Sequence, residues 1–76
     1  MNEIHKILND IRPEADFQSS SNFAQDGLLD SFDVVTLVSE LDKTFQISIQ
    51  GTDILPENFK NIDSIATLLK KYGARV

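Results

Sequence analysis

The chain has 76 residues, a formal charge of -5, one histidine and no cysteine. It can therefore form neither a disulfide nor a thiolate metal site, and a single histidine argues against structural zinc. With 41% hydrophobic and 25% charged residues, the composition is typical of one small folded domain, residues 1–76, rather than of a disordered chain.

The first predicted element is an amphipathic helix over residues 3–11, where isoleucine and leucine recur at three- and four-residue spacing. Pro13 closes it, because the residue before a proline disfavours helical angles. Residues 13–30 contain three serines and Gly27 and are interpreted as a long loop. Four apolar side chains are expected to hold this loop against the core: Phe17, Phe23, Leu28 and Leu29.

The strongest periodic signal predicts a second helix from Ser31 to about Gln46. Its start is well marked, since Asp30 and Ser31 are both good N-caps and Asp33 places a negative charge in the first turn. One apolar stripe runs along it and is assigned to the core: Val34, Leu37, Val38, Leu41 and Phe45.

The remainder is predicted to be a packed loop, a short helix and a final helix. Residues 47–55 alternate briefly as a strand would, but no strand of similar quality is available to pair with them. Pro56 suits the first position of a short helix ending at Lys60. Asn61 or Asp63 then caps a last helix that Gly73 ends. The fold class is therefore all-α, a small four-helix bundle of three main helices and one short one.

The negative charge is concentrated in the middle of the chain. Residues 26–57 hold seven acidic side chains against Lys43 alone. Such a surface repels nucleic acid and anionic lipid and attracts basic protein surfaces. No apolar run is long enough to span a bilayer, and the first residues do not resemble a signal sequence. We expect a cytoplasmic, monomeric protein without membrane insertion.

Two functional classes are disfavoured by the residues present. An enzyme would need a nucleophile with a nearby base or a glycine-rich phosphate loop, and neither pattern is visible. A calcium sensor would need acids at alternate positions and a closing glutamate, which the segment around Asp26, Asp30 and Asp33 lacks.

The run Asp26-Gly27-Leu28-Leu29-Asp30-Ser31-Phe32, followed by an acidic helix, resembles the attachment site of acyl and peptidyl carrier proteins. Nearly the whole chain fits the helix layout of that family. The resemblance implies that a phosphopantetheinyl transferase uses coenzyme A and a divalent metal ion to join a phosphopantetheine arm to Ser31. The thiol of the arm would then carry an acyl or aminoacyl group as a thioester between adenylating, acyl-loading and acyl-transfer enzymes.

Two positions depart from the commonest pattern of the family. Phe32 stands where leucine or methionine is more usual, and Thr36 stands where fatty-acid carriers tend to have an acid. These differences favour a stand-alone carrier of the D-alanyl or dedicated-pathway type. The identity of the cargo is left open by the sequence.

The second helix also supplies candidate contacts for partner enzymes. Carboxylates beside Ser31 would repel a phosphodiester, so recognition by basic partners explains them better than binding of the arm. Phe32 and Val35 lie one turn apart and could offer apolar contacts. The predicted recognition residues are Asp30, Phe32, Asp33, Val35, Glu40 and Asp42. The alternative for the acids is a solvated acidic face, and the alternative for Phe32 and Val35 is burial under the long loop. The alternative is an acidic helical adaptor that carries no prosthetic group, with Ser31 serving only as a helix cap.

Overall fold

The computed structural model describes residues 2–75 and confirms the all-helical prediction. The α-helices are α1 (Asn2–Ile11), α2 (Ser31–Phe45) and α3 (Ile62–Lys71), and two short 3-10 helices, Gly51–Asp53 and Pro56–Asn58, lie between α2 and α3. No strand is assigned within the described residues. Helix α1 contacts both α2 and α3, so the three form one bundle around a common core.

The core is built from the predicted helix stripes. The described polar and charged side chains all stay outside it. Val34 and Phe45, at the two ends of the α2 stripe, are only partly buried against this core. The fully enclosed large side chains come from all three helices and from the long loop: Ile4, Leu8, Phe17, Phe23, Leu37, Leu41, Ile65 and Leu69.

The loop between α1 and α2 is anchored by aromatic side chains, as predicted. The rings of Phe17 and Phe23 are buried and meet edge to face, with centroids 5.0 Å apart and planes at 82°. The backbone amide of Phe23 donates to the carbonyl oxygen of Lys60 at 2.6 Å. The loop is therefore fixed by side-chain burial and by a backbone link to the segment before α3, which places the start of α2.

The segment after α2 is more ordered than the predicted packed loop. Gln46 takes a left-handed conformation at the end of α2 (φ 55°), and the Asp42 carboxylate accepts the amide proton of Ile49 at 3.0 Å. A single 3-10 turn at Gly51–Asp53 follows, and the Tyr72 hydroxyl donates to the Asp53 carboxylate. The sequence did not indicate this turn, because its tertiary partner lies 19 residues away.

Of the two candidate caps for the last helix, the structure selects Asn61. Its side-chain oxygen accepts the amide proton of Ser64 at 2.7 Å, and the helix begins at Ile62. The helix ends at Lys71. Two residues later, Gly73 has a φ of 84°, a left-handed conformation in which glycine avoids the strain of a side chain. The short helix predicted for Pro56–Lys60 is confirmed as the 3-10 helix Pro56–Asn58.

Candidate functional site

Ser31 is the first residue of α2 and is exposed to solvent. The backbone around it is held by a reciprocal capping box between Asp30, which precedes the serine, and Asp33, which lies two residues after it. The Asp30 carboxylate accepts the amide proton of Asp33 at 2.8 Å, and the Asp33 carboxylate accepts the amide proton of Asp30 at 3.3 Å. The capping box fixes the backbone on both sides of Ser31. Because Ser31 is exposed, its hydroxyl is accessible to a partner enzyme.

The helix N-terminus at this hydroxyl suits an ester of phosphoric acid. The first amides of an α-helix lack partners inside the helix, and the helix dipole places partial positive charge there. An anion bonded to Ser31 would lie at this end of α2. The exposed oxygen and the helix N-terminus therefore fit a phosphodiester.

Arg12, a residue that the sequence analysis did not identify, lies against both capping carboxylates. Its Nε donates to Asp33 Oδ2 at 2.9 Å, and its Nη2 forms an ion pair with the same oxygen at 2.6 Å. The same Nη2 lies 3.5 Å from Asp30 Oδ2, and Nη1 lies 3.6 Å from Glu14 Oε1. Arg12 follows the last residue of α1, so this contact links the end of the first helix to the start of the second.

The ion pair changes the protonation behaviour of its members. The pKa of Asp33 is lowered, chiefly by the hydrogen bond from Arg12, and the pKa of Arg12 is raised, chiefly by the same hydrogen bond. The side chain of Asp33 is only 14% exposed, whereas that of Asp30 is 63% exposed. Of these two predicted recognition acids, Asp30 is therefore the one that presents its charge openly.

The other predicted recognition acids, Glu40 and Asp42, have contacts within the chain. Glu40 lies 3.5 Å from the Lys43 ammonium. Asp42 is partly buried and caps the amide of Ile49. The structure thus gives Asp33 and Asp42 structural contacts that the sequence did not anticipate, and a recognition role for any of the four acids stays a prediction.

The apolar candidates on α2 are placed as anticipated. Phe32 is 78% exposed and Val35 is 65% exposed, so neither is covered by the long loop. The Thr36 hydroxyl donates to the carbonyl oxygen of Phe32 at 3.3 Å, which satisfies it locally. Large apolar side chains this open, next to an accessible serine, form a surface that a partner can cover.

The described residues show neither a metal-binding cluster nor a membrane-spanning helix. Across residues 2–75 there is no group of three or more histidine, cysteine, aspartate or glutamate side chains arranged to hold a metal ion. Within the same part of the chain, no helix has the length and apolar character needed to cross a membrane.

Comparison with protein families decides the classification. Residues 2–69 match the family model described as the phosphopantetheine attachment site, and this span includes Ser31. The chain belongs to the phosphopantetheine-attachment family. The cofactor of this family is covalent phosphopantetheine, as the resemblance implied, and its members are carriers rather than enzymes.

Two proteins similar to this chain are named acyl carrier protein. The one from Onion yellows phytoplasma (strain OY-M) is 41% identical over 51 residues, and the one from Phytoplasma australiense is 35% identical over 51 residues. Each match covers 67% of this chain and 64% of the relative. The similarity thus extends over somewhat less than two thirds of those acyl carrier proteins.

Proposed function

We propose that this chain is an acyl carrier protein that bears its phosphopantetheine arm on Ser31 and delivers a thioester-bound group to partner enzymes. The observation that carries the proposal is the accessible hydroxyl of Ser31 at the capped N-terminus of α2, inside the segment matched to the attachment family. The capping box fixes the backbone around this oxygen, so a transferase would meet it in one orientation.

The arm would supply the reactive thiol, and the protein would supply its position and its recognition by enzymes. Ser31 would hold the phosphate through its side-chain oxygen, at the end of α2 where the helix dipole favours negative charge. The buried stripe of α2 secures that helix to the bundle, so the attachment point sits on a rigid element.

The partners would include a phosphopantetheinyl transferase and enzymes that load and accept the acyl group. Exposed Phe32 and Val35 offer apolar contacts beside Ser31, and Asp30 offers an open charge to a basic rim. The cargo is an acyl or aminoacyl group, and a D-alanyl group is the aminoacyl cargo that the motif favours. A single domain, a monomeric state and a cytoplasmic location complete the proposal.

The test is intact-mass measurement after incubation with coenzyme A, magnesium and a broad-specificity phosphopantetheinyl transferase. We expect the wild type to gain the mass of one phosphopantetheinyl group. Ser31→Ala should gain none. Ser39→Ala is the matched control, because Ser39 is an exposed serine on the same helix, and it should be modified like the wild type.

Two results of this measurement would contradict attachment at Ser31. If a folded wild type gains no mass while the same transferase modifies a known carrier, the carrier proposal is wrong. The acidic adaptor would then be the leading candidate, with Ser31 acting only as the first residue of a capped helix. Modification of Ser31→Ala would instead show that the arm is attached elsewhere.

A further inference from the structure

The carrier function does not by itself explain why Arg12 contacts the capping carboxylates at the start of α2. This residue brings a cation from the end of α1 to the two carboxylates that flank Ser31. The contact with Asp33 joins residues 21 positions apart, and the Asp33 oxygen that it engages is the one that caps the amide of Asp30. The guanidinium therefore holds the capping box from outside the helix.

The charge near Ser31 gives this contact a consequence for the attachment reaction. Two carboxylates flank an oxygen that must accept a negatively charged phosphoryl group, and like charges this close oppose the transfer in a partly solvated site. Helix α2 cannot relieve this repulsion itself, since its only cation, Lys43, is 12 residues from Ser31, a rise of about 18 Å. Arg12 supplies the local positive charge.

Resting on the proposed carrier function, we propose that Arg12 is a positioning residue for phosphopantetheine attachment. By holding Asp30 and Asp33 in the capping box and offsetting their charge, it lets Ser31 receive the phosphoryl group. In that step the Ser31 oxygen bonds to the phosphorus of coenzyme A that carries the pantetheine. The bond from that phosphorus to the oxygen of the nucleotide phosphate breaks, the electron pair leaves with 3′,5′-ADP, and the serine proton is released.

The test measures the single-turnover rate of attachment with saturating transferase, together with the KM for the carrier. Arg12→Gln removes the charge and most of the donors. Arg12→Lys keeps the charge but replaces the planar fork by one ammonium. Lys43→Gln is the matched control, because it removes one positive charge from an exposed site at the far end of α2.

We expect Arg12→Gln to lower the single-turnover rate by about five- to tenfold, the order produced by one unit charge near a partly solvated site. Arg12→Lys should fall between that variant and the wild type. Lys43→Gln should leave this rate unchanged. If Arg12 mattered only through overall charge, both glutamine variants would instead bind a basic transferase better, lowering KM without slowing the chemical step.

Folding and the carrier function are checked separately. Circular dichroism melts establish whether each variant is folded at the assay temperature. If Arg12→Gln is unfolded, the inference is tested with Arg12→Lys, whose attachment rate should be lower than that of the wild type. A carbon-13 titration of the Asp33 carboxylate should show its pKa rising in Arg12→Gln. Equal rates in wild type and both Arg12 variants would overturn the inference, whereas no modification of the wild type would overturn the carrier function itself.

Discussion

Phe23 and Phe32 allow one substitution to be compared at a buried and an exposed site. Phe23 is 0% exposed in the loop and Phe32 is 78% exposed on α2. Replacing Phe23 by leucine removes the edge-to-face contact with Phe17, about 0.5–1.5 kcal/mol, and leaves a space of about 25 Å³, which costs about 0.6 kcal/mol. The expected loss is about 1–2 kcal/mol, whereas Phe32→Leu should change stability by less than about 0.5 kcal/mol.

Urea unfolding and thermal melts followed by circular dichroism measure both variants. A domain of this size has a total stability of about 4–11 kcal/mol, so Phe23→Leu remains folded and measurable. Its melting temperature should fall by about 5–15 °C. An unchanged stability of Phe23→Leu, or an equal loss in Phe32→Leu, would refute the conclusion that the long loop is part of the core.

Further predictions concern the cap, acid stability and the exposed face of α2. Asp30→Ala should lower the free energy of unfolding by about 1 kcal/mol in urea titrations, while Asp30→Asn, which can still cap, should stay close to the wild type. The Tyr72 hydrogen bond is the main cause that lowers the pKa of Asp53, so the stability from this contact is complete above the ordinary carboxyl pKa and is lost as pH falls through the lowered value. Melts of Tyr72→Phe from pH 7 to pH 2 should therefore lose less stability than those of the wild type; an identical pH dependence would contradict this. Val35→Ala should leave the melting temperature near that of the wild type and raise the KM of loading enzymes for the holo carrier, and an unchanged KM would remove Val35 from the recognition surface.

The sequence predicted the parts of the fold that local signals determine. The stripe on α2, the aromatic anchors of the loop and the stop at Gly73 depend on spacing, on turn residues or on large apolar side chains in a polar segment. Each was confirmed, and α2 begins at Ser31 as expected. The same local signals located the exposed serine, because an N-cap and an apolar stripe identify a helix start from sequence alone.

The contacts that the sequence could not predict join residues distant along the chain. Arg12 meets Asp33 across 21 residues and Tyr72 meets Asp53 across 19, and no short-range pattern encodes either pair. Each depends on how the helices pack once the core has formed. The residue with the largest inferred influence on Ser31 was therefore missed, although the serine itself was identified.

The most direct test of the central claim is to locate the modification by fragmentation mass spectrometry of the transferase-treated protein. The chain contains serines in the long loop, in α2, in the following segment and in α3, so the measurement chooses among several hydroxyls. We predict a single phosphopantetheinyl group on Ser31. An adduct on another serine, or no adduct on a folded protein beside a modified control carrier, would contradict the account.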